Sequence, residues 1–155
     1  MLIIRIFSAD FTADKTEQKN DRRWSGVISA LIGSFLFGMV IVLYILIVLG
    51  FPLGEYAMGG KYKILPKHMR IVFVFSIILQ LAGVLVLLQT GGYLKLMLPA
   101  GITRGICFFY AFYLTLNVIM NFMSQSKKEK LVMTPLSAIT AACFWITAMN
   151  SCVIT

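Results

Sequence analysis

The chain has 155 residues, 59% of them hydrophobic and only 13% charged, and carries a formal net charge of +8. This balance excludes a disordered chain and an ordinary soluble domain. Every Lys and Arg lies in the first 24 residues or in a connection beside an apolar run, and no nucleic-acid motif is present, so anionic lipid head groups rather than nucleic acid are the expected partner of the charge.

Four runs contain no Asp, Glu, Lys, Arg or His: Gly26 to Gly54, Ile71 to Leu94, Gly105 to Ser126, and Leu131 to Thr155. Each holds the roughly 20 residues that cross about 30 Å of hydrocarbon. The expected fold is all-α, a four-helix transmembrane bundle of antiparallel up-down topology. Its spans are placed at about 25–49, 70–89, 103–123 and 134–154, behind a polar, mobile tail over residues 1–24. Short connections then put both termini on one side.

The tail mixes charge signs until Trp24, which sits beside Arg22 and Arg23 where an aromatic belt residue belongs. The run that follows is far longer than the roughly 7–15 apolar residues of a secretory leader, so it is expected to remain as a span. Within it Gly26, Ala30, Ser34 and Gly38 recur at every fourth position. Lipid tails are as apolar as Leu, so helices associate in a membrane by close backbone approach, and this small-residue stripe is expected to be a helix contact.

The first connection, FPLGEYAMGGKYKILPKHMR, ends one helix at Pro52, permits positive φ at Gly59 and Gly60, and leads through Pro66 into the next. Glu55 is its one acid, among Lys61, Lys63, Lys67 and Arg70. Glu55 with Lys61 and Lys63 is a candidate anion or head-group site; the simpler reading is a solvated turn whose bases orient the chain. Gln80 is the strongly polar side chain in the middle of the second span and is expected to bond to a neighbouring helix. Tyr93 and Lys95 read as interface anchors before the third span.

On the third span Tyr113, Asn117 and Asn121 follow at i, i+4 and i+8, a polar seam that cannot face lipid. It either bonds to another helix or, with Gln80, coordinates a solute. Thr134 and Pro135 have the form of an N-cap and first helical residue, which starts the fourth helix there, with Ala138, Ala141 and Ala142 as its small face. Cys107, Cys143 and Cys152 all fall in spans without a CxxC pair, and His68 has no partner nearby, so neither disulfides nor a metal are expected.

The loop GEYAMGGKYKILP and the run from Asn117 to Pro135, with its Asn, Ser, Ser, KKEK and MTP elements, resemble an uncharacterised family of small bacterial four-span integral membrane proteins. The resemblance covers about residues 26–150 and implies the four-span architecture and a bacterial cytoplasmic membrane, without a ligand, cofactor or activity. The long charged segment before Trp24 departs from it. Small multidrug transporters need a glutamate in the first span, quinone-linked thiol oxidases need paired cysteines, and membrane glutathione transferases carry Arg and Glu within spans; none of these is present.

With no ionisable residue at the midplane, the expectation is a structural or interaction component of the membrane and not an enzyme. Its partners are then the bilayer, anionic head groups, and a second copy or another membrane protein. The alternative is a small transporter or a lipid- or small-molecule-binding protein that uses the seam. Orientation is nearly tied, with Arg5, Lys15, Lys19, Arg22, Arg23, Lys95 and Arg104 on one side and Lys61, Lys63, Lys67, Arg70, Lys127, Lys128 and Lys130 on the other. Arg5 is too far from a span to count, which tips the termini outward.

Overall fold

The computed structural model describes residues 2–95 and 98–150, with side chains described from Asp14 onward. Among these residues the chain forms four long helices, α1 (Leu2–Leu49), α2 (Lys67–Thr90), α3 (Ala100–Phe122) and α4 (Lys127–Asn150), each long and apolar enough to cross a membrane. They make an antiparallel bundle in which α1 packs on α2 and α4, and α3 on α4; α2 and α3 are the most loosely joined neighbours.

The inside and outside have the polarity of a membrane protein. Bulky apolar side chains such as Phe35, Ile71, Phe75, Phe109, Met120 and Leu131 point outward, while Ser29, Thr90, Thr103, Thr140 and Thr147 are buried with Ala30, Leu87, Cys107, Ala111 and Phe144. In water this arrangement would be unstable. In lipid the apolar exterior is matched to its solvent, and the buried hydroxyls bond within the bundle. Thr90, Thr140 and Thr115 return theirs to backbone carbonyls one turn earlier, and Ser29 Oγ meets Thr147 Oγ1 at 2.8 Å between α1 and α4.

Two helix starts differ from the sequence reading. α1 does not begin near residue 25: no Gly or Pro occurs before Gly26, so nothing interrupts the helix between the span and the charged segment, which is helical from Leu2. α4 begins at Lys127 instead of 134. Its start is set by Ser126, whose Oγ accepts the Glu129 N–H at 3.4 Å as a capping serine does. Pro135 therefore lies inside the helix, where its ring nitrogen cannot donate to the Leu131 carbonyl, and Thr134 Oγ1 is buried without a partner. The expected alanine face is also narrower: Ala141 is buried, but Ala138 and Ala142 face outward.

The first connection folds back over the end of the bundle through two 3-10 turns, Gly54–Tyr56 and Met58–Gly60. Ala57 and Leu65 are buried there against Ile47 and Phe73. Its glycines have specific reasons: a methyl at Gly54 would lie 2.3 Å from the Tyr62 carbonyl oxygen, and Gly59 and Gly60 take φ of 72° and 69°.

Candidate functional site

The seam predicted on the third span lines a cavity within the bundle. Tyr113, Asn117 and Asn121 of α3 face it, and so does Gln80 of α2, together with Phe37 and Tyr44 of α1, Ser76 of α2, and Ser137 and Thr140 of α4. Its volume is about 70 Å³, room for a few water-sized groups. None of the lining residues is Asp, Glu, Lys, Arg or His.

The polar groups around it differ in how well they are satisfied. Asn121 Nδ2 donates to Asn117 Oδ1 at 2.8 Å and to Ser137 Oγ at 3.3 Å, linking α3 to α4. The Ser76 and Ser137 hydroxyls donate to the Val72 and Met133 carbonyls of their own helices. Gln80 Oε1 is buried and accepts no hydrogen bond. An unpaired buried carbonyl oxygen of this kind costs about 1–3 kcal/mol.

Aromatic rings hold the helices apart around the seam. Phe37 packs at 5.4 Å from Phe144, Tyr110 stacks on Phe144 at 5.6 Å, and Tyr44 meets Phe73 edge-on at 4.9 Å. Gly83 lets α2 approach this aromatic wall, since a methyl there would lie 2.8 Å from Phe37 Cε2 and 2.9 Å from Tyr110 Cε1. Tyr110 Oη then donates to the Leu79 carbonyl at 2.9 Å, tying α3 to α2.

The first and third connections dock on each other at one end of the bundle. Glu129 is buried at the start of α4, and its Oε2 accepts the Gly59 N–H at 2.7 Å and the Ser124 hydroxyl at 2.6 Å. Ser126 Oγ donates to the Glu55 carbonyl at 2.6 Å, and Lys128 forms an ion pair with the Glu55 carboxylate. The pairing with Lys128 holds the Glu55 carboxyl below its ordinary range. The candidate site of Glu55, Lys61 and Lys63 is thus assembled differently from the sequence reading. Glu55 takes its base from the third connection, Lys63 acts on it only through space, and Lys61 lines a surface hollow beside Glu129 and Asn121. No spacing within one connection could disclose a partner 73 residues away.

The helix stripe divides. A methyl on Gly26 would meet Asn150 O at 3.4 Å, and Ala30 is fully buried with its Cβ against Gly91. Ser34 Oγ is buried without a partner, and Gly38 has nothing within 4 Å of where a Cβ would stand. The buried line runs instead through Gly26, Ala30, Gly33, Phe37 and Ile41, because a straight helix repeats every 3.6 residues and a four-residue stripe rotates off the contact. Cys107 and Cys143 are buried free thiols; Cys152 lies outside the described residues. No family model, curated protein or solved structure matches this chain.

Proposed function

We propose that this multi-pass membrane protein binds a small neutral molecule inside its bundle, and that it works by binding and not by catalysis. The observation that carries the reading is Gln80 Oε1, a buried acceptor without a partner beside a cavity of about 70 Å³. A bound donor would remove the cost of that orphan, and the aromatic rings of Phe37, Tyr44 and Tyr110 supply an apolar surround. On the likeness of its two loops to those of small bacterial four-span proteins, we place it in a bacterial cytoplasmic membrane.

A second reading, a structural or interaction component of that membrane, is favoured by the hydrogen bonds of Asn121 to Asn117 and Ser137, which bind α3 to α4 without a ligand. Native mass spectrometry of the protein released from nanodiscs separates the two. Binding predicts a small-molecule adduct on the wild type that is lost in Ser76→Leu, which fills the cavity. Bare protein in both cases, at unchanged melting temperature, would give the structural reading preference.

A further inference from the structure

The charges that precede the first span are sorted by helix face. Lys15, Lys19 and Arg22 come 11, 7 and 4 residues before the buried Gly26, close to three, two and one turns of α1, and Arg23 comes 7 before the buried Ala30. Asp14, Glu17 and Asp21 come 12, 9 and 5 residues before Gly26 and fall on the other side. The face of α1 that packs into the bundle through Gly26, Ser29, Ala30 and Gly33 therefore continues past it as a row of bases. The acids continue the face that carries the exposed Ile28, Phe35 and Met39 toward lipid.

This sorting works against the helix on its own. From Asp14 to Arg23 every pair of charges three or four residues apart has the same sign: Asp14 with Glu17 and Lys19 with Arg22 at three, and Lys15 with Lys19, Glu17 with Asp21 and Lys19 with Arg23 at four. Like charges at these spacings weaken a helix, and opposite charges in the same places would have strengthened it. The bases also meet no acid at their own end of the bundle. Apart from the four acids of α1, the chain has only Glu55 and Glu129, both in the docked connections at the far end. The connection and helix start that lie beneath the bases add Lys95 and Arg104, and Arg104 Nε is spent on the Ala148 carbonyl.

Anionic head groups do not answer this face. Lipid surrounds the outer side of α1, where it meets Asp21, while the bases stand over the protein itself. The row climbs about 12 Å from Arg23 to Lys15, away from the membrane boundary at Trp24, and residues 14–25 are all exposed. A nucleic acid, with a charge for every 1.7 Å or so of duplex, would run past so short a row and onto Asp14 and Glu17 on the other side. A short run of carboxylates matches the row in sign and in length.

We infer that the inward face of Lys19, Arg22 and Arg23, continued by Lys15, docks an acidic segment of a water-soluble protein across this end of the bundle. The test uses full-length protein in nanodiscs of zwitterionic lipid, with a fluorescent octaglutamate peptide followed by anisotropy. Replacing Lys19, Arg22 and Arg23 together with Gln should weaken binding about tenfold, at roughly twofold for each exposed ion pair. Replacing Lys61, Lys63 and Lys67 with Gln removes as many charges from the far end and should leave binding within about twofold of the wild type. Equal losses in the two variants would reduce the effect to net charge and overturn the docking face, as would an absence of binding to the wild type. Tighter binding of an eight-residue oligothymidylate than of octaglutamate would hand the face to nucleic acid. Native mass spectrometry from nanodiscs containing phosphatidylglycerol supplies the remaining arm: retained anionic lipid should be the same with and without the three bases, and its loss in the variant would assign them to head groups. The comparison of the two polyanions is made on the wild type and stands even where a variant fails to fold.

Discussion

The two halves of the bundle are built from the same four helices and pack in opposite ways. In the half that holds Gly26, Ala30, Gly33 and Gly91, backbones nearly touch: a methyl on Gly91 would fall 2.5 Å from Ala30 Cβ, and one on Gly33 would fall 2.7 Å from Leu87 Cδ2. In the half that holds Gln80, Tyr113, Asn117 and Asn121, rings of Phe37, Tyr44 and Tyr110 act as spacers and a cavity remains. Side-chain size alone sets the helix separation, since in lipid there is no hydrophobic pressure to close a gap that the side chains leave. Polar satisfaction does not follow this division: Ser29 and Thr147 bond across the tight half, and Asn121 bonds to Asn117 and Ser137 in the loose one, where Gln80 Oε1 is left without a partner.

Small-to-large substitution in each half breaks or sharpens this comparison. Ala30→Leu forces a branched side chain against Gly91 and should cost about 1–3 kcal/mol, read as a lower melting temperature in detergent. Val42→Leu, on a residue that is 57% exposed, is the control and should melt with the wild type. Equal melting of the two would mean that the tight half is not tight.

Removing the anchor between the two connections should have the next largest effect. Glu129→Ala leaves the Gly59 N–H and the Ser124 hydroxyl without their shared acceptor, at a cost of about 1–2 kcal/mol, whereas Glu129→Gln keeps one acceptor oxygen and should lose less. Proteolysis within residues 55–63 measures the loosening, which should rank Ala above Gln above wild type.

The mirror of Ala30→Leu is Ser76→Leu. Ser76 bonds only to Val72 of its own turn and faces empty space, so the substitution should change stability by less than about 1 kcal/mol while reducing ligand capture. A loss as large as that of Ala30→Leu would show that the two halves are packed alike.

The smallest effect belongs to Glu55. Its carboxyl is held below the ordinary range by Lys128, so the pair's contribution is present above the unfolded carboxyl value, near pH 4, and is lost as pH falls through the lower folded value. Cysteine accessibility at position 61, followed from neutral to acidic pH, should rise only below about pH 4 and should already be raised at neutral pH in Lys128→Met.

Much of this is legible in the sequence. Charge-free runs of the right length place four spans, because the hydrocarbon core rejects charges and requires each backbone polar group to bond within its own helix. The seam of Tyr113, Asn117 and Asn121 is visible as a four-residue repeat of polar side chains among apolar ones, and Gln80 as the amide in the middle of its span. The start of α4 was misread because Thr134-Pro135 has the local form of a cap, while the stronger cap is Ser126 with Glu129 three residues on. That signal was present in the sequence, hidden among the lysines around it.

By itself, then, the sequence determined the number and order of the helices and the polar seam of the third, since those depend on local hydropathy and on a 3.6-residue repeat. Only the tertiary structure decided that Gln80 joins that seam across a cavity, that Gly38 turns away while Gly33 turns in, and that Glu129 reaches Gly59 and Lys128 reaches Glu55. Those facts depend on the rotation of each helix about its axis and on contacts between residues 70 or more positions apart, which are set by how whole side chains fit against one another and leave no mark in any short stretch of chain.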